Sequence, residues 1–138
     1  MRKTWVLSPH SGGVKITPAL QQIIRQRITK YAQKKYAGKF TRLDFKFRGF
    51  FCYIDAYEEP EVGRNYPTAS FGETRNQYIE RLRKTPTHLC RLRHFGIEKW
   101  SIAFYTYSHE RYEPCIYPNG LWFGSMEEAF EIGATYLR

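Results

Sequence analysis

The chain has 138 residues, 22 Lys and Arg against 13 Asp and Glu, a formal charge of +9, and 17% aromatic side chains, with eleven Tyr and ten Phe. That length is one domain, able to bury roughly two-thirds of the surface its unfolded chain exposes, which removes any need for disulfides or a structural metal. No run approaches the ~18 apolar residues of a membrane-spanning helix, and the positive balance favours phosphate backbones, anionic surfaces or acidic proteins as partners.

Residues 1–16 read as an N-terminal arm. Ser8-Pro9 and Ser11-Gly12-Gly13 interrupt regular structure. The apolar Trp5-Val6-Leu7 is too short for a signal peptide, so a cytoplasmic location is expected. Thr17-Pro18 then forms a helix start, with Thr as N-cap and Pro at the first helical position. Leu20, Ile23, Ile24, Ile28, Tyr31 and Ala32 make an apolar stripe at helical spacing. Lys34, Lys35 and Lys39 crowd the end that the helix dipole makes favourable for cations, and Gly38 is the stop.

Leu43, Phe45 and Phe47 alternate with Asp44, Lys46 and Arg48, the period of a half-buried strand. Arg48-Gly49 turns the chain into a second strand, Phe50 to Tyr57, closing a hairpin. Residues 58–86 form a long connection marked by Glu58-Glu59-Pro60-Glu61, Gly63, Pro67 and Gly72, with a short helix near 74–83. A meander follows. His88 to Phe95, Lys99 to Tyr107, Tyr112 to Tyr117 and Leu121 to Gly124 are read as strands, and Pro114 marks an edge or a bulge. Ser125 with Glu128 matches a capping box that opens a terminal helix, whose inner stripe is Met126, Ala129, Phe130, Gly133 and Leu137. Hairpin-length connections between most strands predict an α+β fold: a single domain over 1–138, with an antiparallel sheet of five to six strands and an N-terminal and a C-terminal helix on one face.

Leu43 to Tyr57, Trp100 to Tyr107, the run Arg111-Tyr112-Glu113-Pro114-Cys115 and Glu127-Glu128-Ala129 together resemble an uncharacterised bacterial family catalogued as a domain of unknown function. The resemblance spans about 80 residues. It implies the same order of helix, hairpin, variable connection, Trp- and Tyr-rich strand pair and closing helix, and it implies no activity, cofactor or site residue.

Candidate chemistry is therefore argued from the residues. Arg25, Lys30, Lys34 and Lys35 lie on the first helix, and Arg91 and Arg93 on the third strand. If the helices cover one side of the sheet, the other side presents Tyr53, Tyr105 and Tyr107. Cations take phosphates and aromatic rings take unstacked bases, the design of single-strand binders. The plainer reading is a solvated basic surface, with the tyrosines packed under the connection.

For metal, alternation along the third strand places His88, Cys90 and His94 on one face, but no Cys-x-x-Cys pair accompanies them. For hydrolysis, Asp44, Asp55 and Glu58 with Lys46 form a magnesium site only if Asp44 and Asp55 share a face. Cys52, Cys90 and Cys115 each sit among apolar neighbours, as reduced buried thiols do.

The expectation is a module without catalytic residues, metal or cofactor. It binds nucleic acid or another anionic polymer through a basic helix and a tyrosine-bearing sheet face. Its alternative is a protein-interaction or small-ligand domain with a pocket under the 58–86 connection. No membrane partner is expected, and nothing in the residues fixes an oligomeric state.

Overall fold

In a computed structural model the described residues are 8–63 and 72–137. The elements run α1 (Pro18–Lys35), β1 (Arg42–Arg48), β2 (Phe51–Tyr57), α2 (Arg75–Lys84), β3 (Thr87–Gly96), β4 (Lys99–Thr106), β5 (Arg111–Cys115) and α3 (Met126–Gly133), with a closing 3-10 turn at Ala134–Tyr136. The five strands form one antiparallel sheet in chain order. Every strand thus pairs with its sequence neighbour, as hairpin-length links demand.

The expected starts and stops hold. The Thr17 hydroxyl accepts from the Leu20 amide at the head of α1, and Gly38 takes a φ of +80° just beyond its end. Ser125 and Glu128 close a reciprocal capping box on α3. Thr74 and Gln77 do the same for α2.

Antiparallel partners point to the same side of a sheet, so the register sorts the side chains. One side carries the rows Phe47–Cys52–Leu92–Ile102–Cys115 and Phe45–Ile54–Cys90–Phe104. Against these lie Ile24, Ile28 and Ala32 of α1 and Met126, Ala129 and Phe130 of α3, forming the core with buried Trp100 and Tyr117. Gly133 lets α3 approach closely: a Cβ there would stand 2.9 Å from the Cys90 sulfur. Arg27 fastens the helix layer, donating to both Glu127 oxygens at 2.9 and 2.6 Å and to Glu98 at 2.9 Å. Lys35 and Tyr36 bind Glu131 at 2.8 and 2.7 Å.

Two sequence expectations need correction. The segment 121–124 is not a strand: it meets the sheet only at a single bridge between Trp100 and Gly124. Tyr117 donates to the Leu121 carbonyl and holds a tight loop there instead, and Gly124 sits against the Tyr117 ring, where a Cβ would approach to 2.7 Å. The sheet therefore has five strands. Second, His88, Cys90 and His94 do not share a face. The register shifts between Ile54 and Asp55, leaving Leu89 as the extra residue of β3. A one-residue slip turns every side chain beyond it to the other side. Cys90 and His94 stay on the helix side, and His88 turns away.

The arm residues 8–16 wrap the sheet end. Ile16 is buried in the core and its amide donates to Gly49. Val14 donates to the His94 carbonyl at 2.8 Å, and His94 Nδ1 returns a bond to the Val14 carbonyl at 2.8 Å. Gly13, at φ +139°, passes so close that a Cβ would lie 2.8 Å from the Phe50 ring. The chain thereby leaves the helix side and carries Pro9 and His10 onto the other side of the sheet. Trp5, Val6 and Leu7 lie outside the described residues.

Candidate functional site

The sheet side away from α1 and α3 is a grid of alternating cations and rings. Across the strands one row reads Arg48–Phe51–Arg93–Ser101, and the next Lys46–Tyr53–Arg91–Ala103–Pro114. The third sets Asp44 opposite Asp55 and Asp55 opposite His88, and continues with Tyr105 opposite Tyr112. Strand alternation produces this arrangement, because the residues that punctuate the apolar rows all turn to the other side.

Cations and rings touch. The Arg91 guanidinium lies 4.5 Å from the Phe51 centroid and 5.8 Å from that of Tyr112. Arg93 lies 4.6 Å from Phe51 and 5.1 Å from Phe50. Tyr53 meets Tyr112 edge-on at 5.4 Å, and Tyr112 meets Tyr105 at 5.0 Å. Tyr105 continues to Tyr107 at 4.7 Å. Burial raises the Tyr112 phenol, with the Asp55 carboxylate adding to it. Tyr107 is raised mainly by burial too. Both are neutral phenols at physiological pH, and the Tyr107 hydroxyl is tied to the His88 backbone.

At the centre of the third row His88 Nδ1 lies 2.8 Å from Asp55 Oδ1. Asp55 is 4% exposed, so the imidazole is its shield from an apolar surrounding. The His88 amide donates to the Tyr107 hydroxyl at 2.6 Å, and its ring lies 4.7 Å from that of Tyr105.

Of the nine residues singled out from sequence, Arg91, Arg93, Tyr53 and Tyr105 come together here, with Tyr107 at the rim, 47% exposed. Arg25, Lys30, Lys34 and Lys35 do not join them. Arg25 covers Phe45 and Phe47, at 5.9 and 5.1 Å, on the helix side. Lys35 is paired with Glu131 of α3. The basic helix and the tyrosine face lie on opposite sides of the sheet. Sequence reasoning passed over Tyr112, and over Phe51 although it alternates in phase with Tyr53, a residue it did choose. It also passed over the Asp55–His88 pair, because no pattern announces the bulge at Leu89.

The connection supplies little to the face. No α2 residue is fully buried. Its arginines are engaged locally: Arg83 with Glu59 at 2.6 Å and with Glu80, Arg81 with Glu73 at 2.8 Å, and Arg75 with the Val62 carbonyl at 2.8 Å. A groove of about 550 Å³ lies between the limbs of the connection, lined by Glu58, Pro60, Glu61, Leu82, Thr87 and Tyr107 among others. Among the described residues no group of three or more His, Cys, Asp or Glu side chains is placed to hold a metal ion. Asp44 and Asp55 do share a face. No helix there is long and apolar enough to cross a membrane. The thiols are free, and burial raises Cys52 and Cys90 far above the ordinary range, which blunts them as nucleophiles.

Comparison of the chain with protein-family models, with curated proteins and with solved structures finds no match.

Proposed function

We propose that this protein binds single-stranded nucleic acid on the open side of its sheet, without the basic helix. The observation that carries this reading is the grid itself: Arg48, Lys46, Arg91 and Arg93 interleaved with Phe51, Tyr53 and Tyr112 on the side of the sheet away from α1 and α3. Guanidinium planes and aromatic faces both stack on unpaired bases, and the same cations neutralise phosphates. A flat sheet suits an extended strand, because side chains two residues apart on a strand repeat at about 6.6 Å.

The test is a salt titration of binding to labelled single-stranded RNA and DNA. Each phosphate neutralised on a single strand contributes about −0.7 to the slope of log K against log salt. Four cations on the face predict a slope of about −3, reduced in magnitude by about 0.7 in Arg91→Gln. No binding at low salt, or a slope unchanged by that substitution, would falsify this reading.

A second reading has one observation in its favour. The groove beside Tyr107 has the volume of a small-molecule site, and its Glu58 and Glu61 suit a cationic ligand. Under this reading Tyr107→Ala weakens ligand binding and leaves Arg91→Gln without effect.

A further inference from the structure

Arg91 and Arg93 stand two residues apart on β3 and face the same side. Every Asp and Glu of the chain lies among the described residues, and none forms an ion pair with either guanidinium. Elsewhere the protein pairs its partly buried cation Arg27 with two glutamates. Two like charges side by side, drawn partly out of water and given no carboxylate, repel each other. Burial and the neighbouring Arg91 charge hold Arg93 below the ordinary arginine range.

Beside these arginines is a small cavity of about 40 Å³, walled by Pro9, His10, Arg91, Arg93, Ser101 and Pro114 among others. A single water needs about 10–15 Å³ on this measure, so the cavity has room for a small polyatomic group. Ser101 is 5% exposed, and its hydroxyl has no hydrogen-bond partner among the described residues. Buried hydroxyls are ordinarily paired, and leaving one unmatched costs about 1–3 kcal/mol. Of the five Arg93 donors, one is given to the Gly12 carbonyl at 2.8 Å, which ties the arm over the cavity. His10, one of the cavity's walls, makes an edge contact with Trp122 at 4.8 Å.

We propose that this cavity is a binding site for a phosphoryl group, held by Arg91, Arg93 and the Ser101 hydroxyl with His10 as one of its walls. A tetrahedral oxyanion supplies what each of these groups lacks: charge for two guanidiniums and an acceptor for a buried hydroxyl. The group comes either as free orthophosphate or as the terminal phosphate of a strand lying on the grid. The second source deepens the proposed function and rests on it; the first does not.

The experiment titrates the whole protein with inorganic phosphate by calorimetry, then with one oligonucleotide carrying either a 5′-phosphate or a 5′-hydroxyl. Arg91→Gln and Ser101→Ala are compared with Lys34→Gln, and near-UV circular dichroism checks that each variant keeps its fold. Saturable phosphate binding, weakened tenfold or more by Arg91→Gln, several-fold by Ser101→Ala and not by Lys34→Gln, is the expected result. A 5′-phosphate that raises oligonucleotide affinity at least tenfold assigns the strand end as the source. Phosphate binding without oligonucleotide binding keeps the site, assigns it to free phosphate and removes the nucleic-acid reading. Oligonucleotide binding indifferent to the 5′-phosphate, with no binding of inorganic phosphate, overturns the site and leaves the grid standing. Equal phosphate binding by wild type, Arg91→Gln and Ser101→Ala overturns it as well.

Discussion

The two sides of the sheet are made from the same strands and differ in what holds them. On the helix side, rows such as Phe45–Ile54–Cys90–Phe104 are covered by α1 and α3 and fully or largely buried. Interdigitated packing there makes every methylene count. On the open side the rings meet edge-on and stack with guanidiniums, and they are only partly buried, none of them in the core cluster. Cation–π contacts at such exposure are worth about 0.5–1 kcal/mol each, so they arrange side chains more than they hold the fold. One side is built for stability. The other spends aromatic surface where a stability argument alone would place Thr, Lys or Glu.

Substitutions should separate the sides cleanly. The largest effect is expected from Trp100→Ala, which empties a fully buried site closed by the Tyr117 hydroxyl on the Trp100 carbonyl at 2.8 Å. A loss of about 3–5 kcal/mol in urea unfolding is expected, and a loss under 1 kcal/mol breaks the description of this core. Gly133→Ala comes next: its Cβ meets Cys90 and the Leu89 backbone, and overpacking of that kind costs about 1–3 kcal/mol.

On the open side the ordering inverts. Tyr53→Ala should leave the urea midpoint nearly unchanged yet weaken single-strand binding by about 1–3 kcal/mol, the stacking contribution of one base. A variant that unfolds but binds normally until it does so would make the open face a second core rather than a platform.

A smaller effect is expected at the helix clasp. The hydrogen bond and charge of Arg27 hold Glu127 below the ordinary glutamate range. A carboxylate with a depressed pKa contributes stability above its unfolded value, near 4.3, and loses it as the pH falls through the lower, folded value. Arg27→Ala should therefore cost about 1 kcal/mol at neutral pH, and thermal melts should show the gap to wild type closing in acid below about pH 4. A gap that stays constant into strong acid contradicts the clasp. The smallest change belongs to Lys30→Gln and Lys34→Gln, exposed on α1: stability within about 0.5 kcal/mol, with strand affinity altered less than about twofold by the distance screening of exposed charges.

The fold was largely legible because its signals are local. Thr17-Pro18, Ser125 with Glu128, and the alternation from Leu43 to Arg48 each specify their element from neighbouring residues. The strand read at 121–124 failed for a tertiary reason: Gly124 is held against the Tyr117 ring, and only Trp100 pairs with it. The site was legible in part. Alternation alone groups Tyr53 with Phe51, and Arg91 with Arg93. What joins β2 to β3 is register, and the bulge at Leu89 changes it midway, so His88 was grouped with Cys90 instead of Asp55. Net charge misled about the helix, since charge counts cations without saying which side of a sheet they occupy. The cavity beside His10 had no sequence signal: residue 10 meets positions 91, 93 and 101 because the arm turns the sheet end at Gly13.

The most direct measurement is an amide NMR titration of the folded protein with a short single-stranded oligonucleotide. The platform account predicts shifts confined to β2, β3, β4 and β5 around Phe51, Tyr53, Arg91, Arg93, Tyr105 and Tyr112, with α1 silent. Shifts that instead follow Arg25, Lys30 and Lys34 along α1, or no shifts at low salt, would contradict it.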